Sequence, residues 1–315
     1  MSGAPVAFYC ASSELYFPGA VGLVNSLRLH GHDEPIYVLD CGLTREHREL
    51  LAPEATIVSG APETPPYLLK TIAPLRHPAE VMVLIDADMI VTRSLDPLIA
   101  EASRGRVVAG GTGIDRFREE WGEVLDLGAL RPKPYVSSGL VLLGGPLGLE
   151  VLRLVDKRVD LVDFERTYFR GDDRDYPLLH AEEDVLNAVL AARAEADQVV
   201  AFDPRLSASP PFAGLRVVDE RSLRCQYEDG VEPYVVHHWL AKPWLEPTHH
   251  GVYSRLLRRL LVGDDVAIRV PEDEVPLRFR SGLRAYAERK RVNARERFRW
   301  HVREPLAARR GGERA

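Results

Sequence analysis

The sequence predicts an α/β layered fold with a mostly parallel central sheet. Short apolar runs alternate with longer amphipathic segments in the first half of the chain, as in units where helices connect parallel strands. The run Val81–Ile85 is apolar at all five positions, as expected for a central strand that is covered on both faces. Hydrophobic residues make up 45% and charged residues 28% of the chain, which is typical of a globular protein with a core of its own.

The individual elements follow from the same patterns. A helix is predicted at 19–30, and a second helix begins after Thr44, whose hydroxyl suits an N-cap. The region 144–180 is polar and has no strand period, so helices and loops are expected there. The predicted strands are 6–10, 36–39, 81–85, 107–109, 140–143, 199–202 and 234–236.

Charge divides the chain into two parts. Residues 277–315 contain 13 lysines and arginines against 4 glutamates, whereas the whole chain has a net charge of -6, so the remainder has a net charge of -15. A break rich in Gly, Asp and Pro near 262–276 precedes the basic part. These features predict a main domain at 1–262 and a basic helical extension at 263–315.

Cysteine content and hydropathy predict a cytoplasmic protein. Cys10, Cys41 and Cys225 are widely spaced and odd in number, which argues against a disulfide framework or a zinc site. No apolar stretch approaches the ~20 residues that span a bilayer, and residues 1–5 lack the basic region of a signal peptide. The acidic body argues against nucleic-acid binding.

Two carboxylates, Asp86 and Asp88, come directly after the apolar run Val81–Ile85. Ligands of open α/β sheets bind beyond the carboxyl ends of strands, and residues i and i+2 of an extended chain project to the same side. Two adjacent carboxylates repel each other unless a cation lies between them. Their hard oxygen ligands suit Mn²⁺ or Mg²⁺ bridging to a diphosphate.

A second cluster follows the last predicted strand. His237 and His238 precede Lys242, Pro243 and Trp244. A neutral imidazole can complete the coordination of a metal that two aspartates hold only partly, and Lys242 can stabilise the charge that develops on a departing diphosphate.

These clusters belong to an ordered set of blocks that resembles the family-8 retaining glycosyltransferases, the glycogenin and lipopolysaccharide-galactosyltransferase group. The set covers about three quarters of the chain, from Val6 to Trp244. The blocks are Phe8-Tyr9-Cys10-Ala11-Ser12-Ser13 with Tyr16, Leu84-Ile85-Asp86-Ala87-Asp88, Val136-Ser137-Ser138-Gly139-Leu140, Glu182-Glu183-Asp184-Val185-Leu186-Asn187, and the segment from the histidines to Lys242-Pro243-Trp244.

The resemblance implies a GT-A fold and transfer of a hexose from a UDP-sugar to an unidentified acceptor (a small molecule, a glycan or a natural product), with retention of configuration. It implies Mn²⁺ (or Mg²⁺) held by Asp86, Asp88 and His237. Catalytic roles are implied for Glu182, Glu183 and Lys242. The implied donor contacts are Ala11, Ser12, Ser13, Tyr16, Lys70, Asp86, Ala87, Ser137, Ser138 and Lys242.

Three departures from the family pattern bear on the donor site. Ser137 stands where the family often has Asn, and Glu182-Glu183 stands where it commonly has Asp-Gln. The turn before Lys242 is shorter than in the family, so His237 and His238 both remain candidate ligands. His237 is favoured because it directly follows the apolar strand.

Several alternatives stay open. A sugar-1-phosphate nucleotidyltransferase would need a glycine-rich loop after the first strand, where Ala11-Ser12-Ser13 stands instead. A non-catalytic nucleotide-sugar-binding protein is a second alternative. The basic tail suits either peripheral contact with an anionic membrane or packing on the body, and the acidic loop at 172–175 suits either solvent or an aminated acceptor.

Overall fold

The structure, a computed structural model, describes residues 4–60, 69–239, 242–245 and 251–298. The strands are β1 (Val6–Ser12), β2 (Ile36–Asp40), β3 (Thr56–Ser59), β4 (Val81–Ile85), β5 (Met89–Val91), β6 (Val107–Gly111), β7 (Val136–Gly144), β8 (Val199–Phe202), β9 (Ser207–Ala208), β10 (Leu215–Asp219), β11 (Arg224–Tyr227) and β12 (Val235–His237). The α-helices are α1 (Phe17–Leu29), α2 (Arg45–Leu51), α3 (Ile72–Arg76), α4 (Asp96–Ala102), α5 (Trp121–Val124), α6 (Gly145–Val159), α7 (Glu182–Arg193), α8 (Val252–Val262) and α9 (Leu283–Phe298). Short 3-10 helices occupy Glu14–Tyr16, Phe164–Arg166, Ala196–Gln198, Pro204–Leu206 and Leu277–Phe279.

The main sheet has seven strands in the order β3-β2-β1-β4-β7-β6-β8. Strands β1 to β4 pair in parallel, and β6 pairs in parallel with β8. Strand β7 is antiparallel to both of its neighbours, β4 and β6. The predicted α/β fold with a mostly parallel sheet is therefore confirmed, with one reversed strand beside its centre.

Two separate core layers explain why β4 is apolar at every position. Val83 and Ile85 face a layer that also contains residues of α1 and α8. Met82 and Leu84 face a second layer that contains residues of α6 and α7. A strand that buries both faces reads as a continuous apolar run, because alternate side chains enter different layers.

The predicted elements are all present, and Thr44 caps α2 by accepting a hydrogen bond from the backbone N–H of His47 at 3.1 Å. The strands that the sequence did not predict, β3, β5, β9, β10 and β11, are short. Strands β5 and β9 join the predicted β12 in a separate three-stranded sheet, and β10 pairs with β11. Three residues are too few to establish an alternating pattern, so β5 reads as part of the apolar stretch that follows β4.

Residues beyond α8 pack into the same core as α1. The carboxamide nitrogen of the buried Asn25 donates to the carbonyls of Leu260 and Ile268, both at 2.9 Å. Its oxygen accepts from the Ile268 N–H at 2.7 Å. Val275 and Phe279 also belong to this core layer. The proposed division of the chain at residue 262 stays a prediction.

Helix α9 buries Ala285 and Val292, so its described part packs on the rest of the protein. Leu283 and Tyr286 are exposed on the same helix. The predicted tail helix continues to residues that lie outside the described ones, and membrane contact through the tail stays a prediction. Among the described residues, no helix is both long and apolar enough to cross a bilayer.

The Asn25 hydrogen bonds generate a stability prediction. We expect Asn25→Ala to lower the free energy of unfolding by about 2–4 kcal/mol, because it leaves three buried backbone groups without partners. Arg45→Ala, which removes only an exposed ion pair on α2, should change it by less than about 0.5 kcal/mol. Urea unfolding curves measure both values, and equal midpoints for Asn25→Ala and the unmodified protein would contradict the assignment.

Candidate functional site

The site lies at the carboxyl end of β4, where Asp86 and Asp88 leave the sheet. The reversed direction of β7 brings its first residues to this edge, and the backbone N–H of Asp86 donates to the carbonyl of Gly139 at 2.9 Å. Ser137 and Ser138 therefore lie beside the aspartates although they begin their own strand. This arrangement depends on strand direction, which the apolar pattern of β7 does not reveal.

The small sheet brings a histidine to the same place. His237 of β12 pairs with Met89 of β5, and its Nε2 lies 3.2 Å from Asp88 Oδ1 and 3.8 Å from Asp86 Oδ2. The His238 ring instead contacts the rings of Phe212 and Tyr253. The two histidines point to different sides because side chains alternate along a strand, and the structure places His237 beside the aspartates.

Asp86, Asp88 and His237 suit a divalent cation. One ligand atom of each lies within 4.8 Å of the others. Asp88 Oδ1 is buried and has no hydrogen-bond partner among the described residues, although it lies 3.2 Å from the imidazole. A buried carboxylate oxygen without a donor is costly unless a ligand satisfies it. Oxygen and imidazole ligands suit Mn²⁺ and Mg²⁺.

Two buried lysines neutralise the carboxylates. Lys70 Nζ lies 2.7 Å from Asp86 Oδ1 and 3.5 Å from Glu182 Oε1. Burial alone would lower the pKa of Lys70, but the charges of Asp86 and Glu182 raise it above its ordinary value. Lys242 Nζ forms an ion pair with Asp88 and donates to the His238 carbonyl at 2.7 Å. The raised pKa favours the charged form of Lys70.

The pKa of Asp88 is held far below its usual range. Burial would raise this pKa, but His237 and Lys242 contact the carboxylate and lower it. The lowered pKa favours the ionised carboxylate, which is the state that a metal ligand needs.

The glutamates at the start of α7 face the same space. Ser138 uses its hydroxyl to donate to Glu182 Oε1 at 3.2 Å and its backbone N–H to donate to Glu183 Oε2 at 3.0 Å. Burial raises the pKa of Glu182, and it raises the pKa of Glu183 to about 7. Glu182 Oε2 is buried without a hydrogen-bond partner among the described residues, so it is available to a ligand hydroxyl.

A buried network positions α7, and the sequence reasoning did not identify it. Arg116 binds both carboxylate oxygens of Asp184 at 2.7 Å, and the Tyr135 hydroxyl donates to Asp184 Oδ1 at 2.8 Å. The amide of Asn187 bonds to both backbone groups of Val136 at 2.8 Å. These contacts fix α7 against the start of β7. Arg116 lies in an irregular segment 68 residues from its partner, so no local pattern indicated it.

The loop after β1 contributes Tyr16. The Lys242 Nζ lies 5.7 Å from the centre of the Tyr16 ring, and burial together with the charges of Asp88 and Asp86 raises the Tyr16 pKa. Ser12 is buried and its hydroxyl donates to the Ser13 carbonyl at 3.3 Å. In the described residues, no side-chain contact joins Ser12 or Ser13 to the acidic cluster.

The remaining predicted donor contacts are Ala11 and Ala87. Ala11 lines a small cleft together with Lys70 and Ile85. Ala87 is buried, and its carbonyl lies so close to Gly19 of α1 that a Cβ there would approach it to 2.5 Å.

Gly139 sets the spacing at the centre of the site. A Cβ at this position would lie 2.6 Å from Met89, 3.1 Å from the His237 ring and 3.2 Å from Asp86 Oδ2. The lack of a side chain therefore allows β7, the histidine and the aspartate to meet.

Comparison with known proteins establishes the fold. Neither a protein-family model nor a curated protein sequence matches the chain. LgtC, a galactosyltransferase solved with donor and acceptor sugar analogues, aligns with a TM-score of 0.52 and 17% identity over 85% of this chain and 98% of LgtC. An active-site mutant of LgtC gives the same values. The bifunctional glycosyltransferase WbbM aligns with a TM-score of 0.49 and 13% identity, over 84% of this chain and 50% of WbbM. The chain thus has the GT-A-like glycosyltransferase fold that the resemblance to family 8 implies.

Proposed function

We propose that the protein is a metal-dependent glycosyltransferase that moves a hexose from a UDP-sugar to an acceptor hydroxyl. The observation that carries the proposal is the cluster of Asp86, Asp88 and His237 at the carboxyl end of β4, with two lysines and two glutamates facing it. This is where ligands of α/β sheets bind. The donor nucleotide, the metal dependence and retention of configuration rest on the resemblance of the sequence blocks to family 8.

The proposed reaction exchanges one bond at the anomeric carbon. The acceptor oxygen bonds to this carbon, the bond from the carbon to the diphosphate oxygen breaks, and its electron pair stays on UDP. The acceptor proton leaves with UDP or to solvent. A cation held by Asp86, Asp88 and His237 would supply positive charge to the diphosphate.

Lys242 would support the same leaving group from the protein side. Its ammonium is buried and paired with Asp88. It therefore already lies beside the proposed metal ligands before a ligand binds. Preorganised charge of this kind stabilises a departing anion without reorganisation.

Glu182 and Glu183 would bind the donor sugar. In this proposal Glu182 Oε2, which has no hydrogen-bond partner among the described residues, accepts a hydrogen bond from a sugar hydroxyl. Glu183 has a pKa of about 7, so near neutral pH the Glu183 carboxyl is protonated in a large fraction of the molecules. A protonated carboxyl both donates and accepts hydrogen bonds, as an amide does. A protonated carboxyl is a poor nucleophile, which favours attack of the acceptor on the same face as the leaving group over a covalent intermediate on Glu183.

The metal assignment predicts the effect of losing a ligand. We expect Asp88→Asn to weaken Mn²⁺ binding at least about tenfold, because it removes the buried charge that His237 and Lys242 surround. Isothermal titration with Mn²⁺ measures the change. Asp197→Asn, in the exposed 3-10 helix Ala196–Gln198 that follows α7, serves as the control. Unchanged Mn²⁺ binding in Asp88→Asn would exclude this site.

The position of Lys70 predicts opposite effects on metal and nucleotide. Because its ammonium occupies Asp86 Oδ1, it competes with a cation there, but it also offers positive charge to a diphosphate. We expect Lys70→Met to bind Mn²⁺ alone on the order of tenfold more tightly and UDP with Mn²⁺ on the order of tenfold more weakly. Titration calorimetry measures both, with Lys157→Met on the exposed face of α6 as the control. Weaker binding of Mn²⁺ alone would show that Lys70 does not compete with the cation.

The raised pKa of Glu183 predicts a pH-dependent stability. The native state retains a proton that the unfolded chain releases near the ordinary pKa of 4.5, so stability falls as the pH rises from about 4.5 to about 7 and then levels off. Glu183→Gln removes this loss, and its free energy of unfolding should gain up to about 3 kcal/mol relative to the unmodified protein across that range. Urea unfolding at pH 4.5, 6 and 8 checks this, and a constant difference between the two proteins would refute it.

A further inference from the structure

Three aromatic rings stand side by side on the loop between α6 and α7. The rings of Tyr168 and Phe169 stack with centroids 4.1 Å apart, and Phe164 stacks on Phe169 at 5.6 Å. Tyr168 is 43% exposed and Phe169 is 41% exposed. Burying adjacent aromatic rings in the core would stabilise the fold. Rings that instead stay exposed side by side on a folded surface usually serve binding.

The loop holds these rings in place. Thr167 is fully buried, and its carbonyl accepts hydrogen bonds from the N–H groups of Arg170, Gly171 and Asp172. The Tyr176 hydroxyl accepts from the Asp163 N–H at 2.7 Å. The loop that carries the ring pair, Tyr168 and Phe169, is thus held by its own hydrogen bonds. Less conformational entropy is therefore lost when a ligand binds to the rings.

The pair borders the proposed donor site. The Tyr168 N–H donates to the Leu179 carbonyl at 3.0 Å, and its ring packs edge-on against His180 at 5.7 Å. His180 lies two residues before Glu182. Burial, followed by the charges of Glu182 and Glu183, raises the pKa of Tyr168, as expected for a hydroxyl within electrostatic range of both glutamates.

Two ion pairs lie within the loop. Arg166 pairs with Asp173 and Arg174 pairs with Asp172, both at 2.8 Å. Two of the three aspartates at 172–175 thus already have cationic partners. The loop at 160–181 contains six acidic residues and three arginines, so it disfavours an anionic ligand.

We propose that Tyr168 and Phe169 form the acceptor subsite, a stacking surface for a neutral pyranose ring whose hydroxyl meets the donor beside Glu182 and Glu183. A pyranose has one face of C–H groups that packs on an aromatic ring, and its hydroxyls remain at the edge to react. This inference rests on the proposed glycosyltransferase function and names the chemical class of its acceptor.

Saturation-transfer NMR tests the proposal on the full chain in the presence of UDP and Mn²⁺. The probes are methyl α-D-glucopyranoside, methyl β-D-galactopyranoside and methyl α-D-mannopyranoside. We expect transfer to the ring C–H protons of at least one probe, reduced about fivefold or more in Tyr168→Ala and in Phe169→Ala. Phe169→Tyr should retain it, as should Leu161→Ala, which removes an exposed apolar side chain before the stacked rings.

The same samples separate the two hypotheses. A thermal shift with UDP and Mn²⁺ reports the donor site, so its absence in the unmodified protein would contradict the proposed function. A normal shift without transfer to any probe, or with equal transfer in both alanine variants, would overturn the acceptor subsite alone. If the variants instead turn a dimer into a monomer in sedimentation while transfer is unchanged, the rings serve self-association and the subsite is likewise excluded.

Discussion

The site depends on the compensation of buried charge. Asp86, Asp88 and Glu182 are carboxylates removed from most of the solvent, and Lys70 and Lys242 supply the ammonium groups that accompany them. An unpaired buried carboxylate costs several kcal/mol. The lysines come from the segment before α3 and the segment after β12, so distant parts of the chain must meet for the acids to be tolerated. A cation that binds here, as we propose, would therefore replace a lysine as the counter-ion of a carboxylate.

The central strand and its acids could be predicted from the sequence for simple physical reasons. Val81–Ile85 enters two core layers and is therefore apolar throughout, and the polar residues that follow it mark the edge of the sheet. His237 could be preferred over His238 because it directly follows the apolar strand, and alternation along a strand then separates the two side chains. The proposed metal ligands were thus accessible to local reasoning, and the structure brings the three side chains together.

Other parts of the site depend on tertiary structure that no local pattern encodes. Ser138 contacts Glu183 only because β7 runs antiparallel to β4. An apolar run has the same pattern in either strand direction, so the sequence does not reveal this direction. Arg116 meets Asp184 across an irregular segment. The resemblance to a known family indicated the serines and glutamates, but the residues that hold them, and the stacked rings of Tyr168 and Phe169, became visible only in three dimensions.

The bonds of Asn25 also bear on how the chain folds as it is made. Its carboxamide belongs to α1, yet its partner Ile268 lies 243 residues later. At ~5–20 residues per second, on the order of 10–50 seconds separate the synthesis of the two residues. During that interval α1 exists with a polar group that its final core does not yet satisfy. The nascent protein therefore completes this core layer only after the segment around Ile268 has been synthesised and has packed against α1.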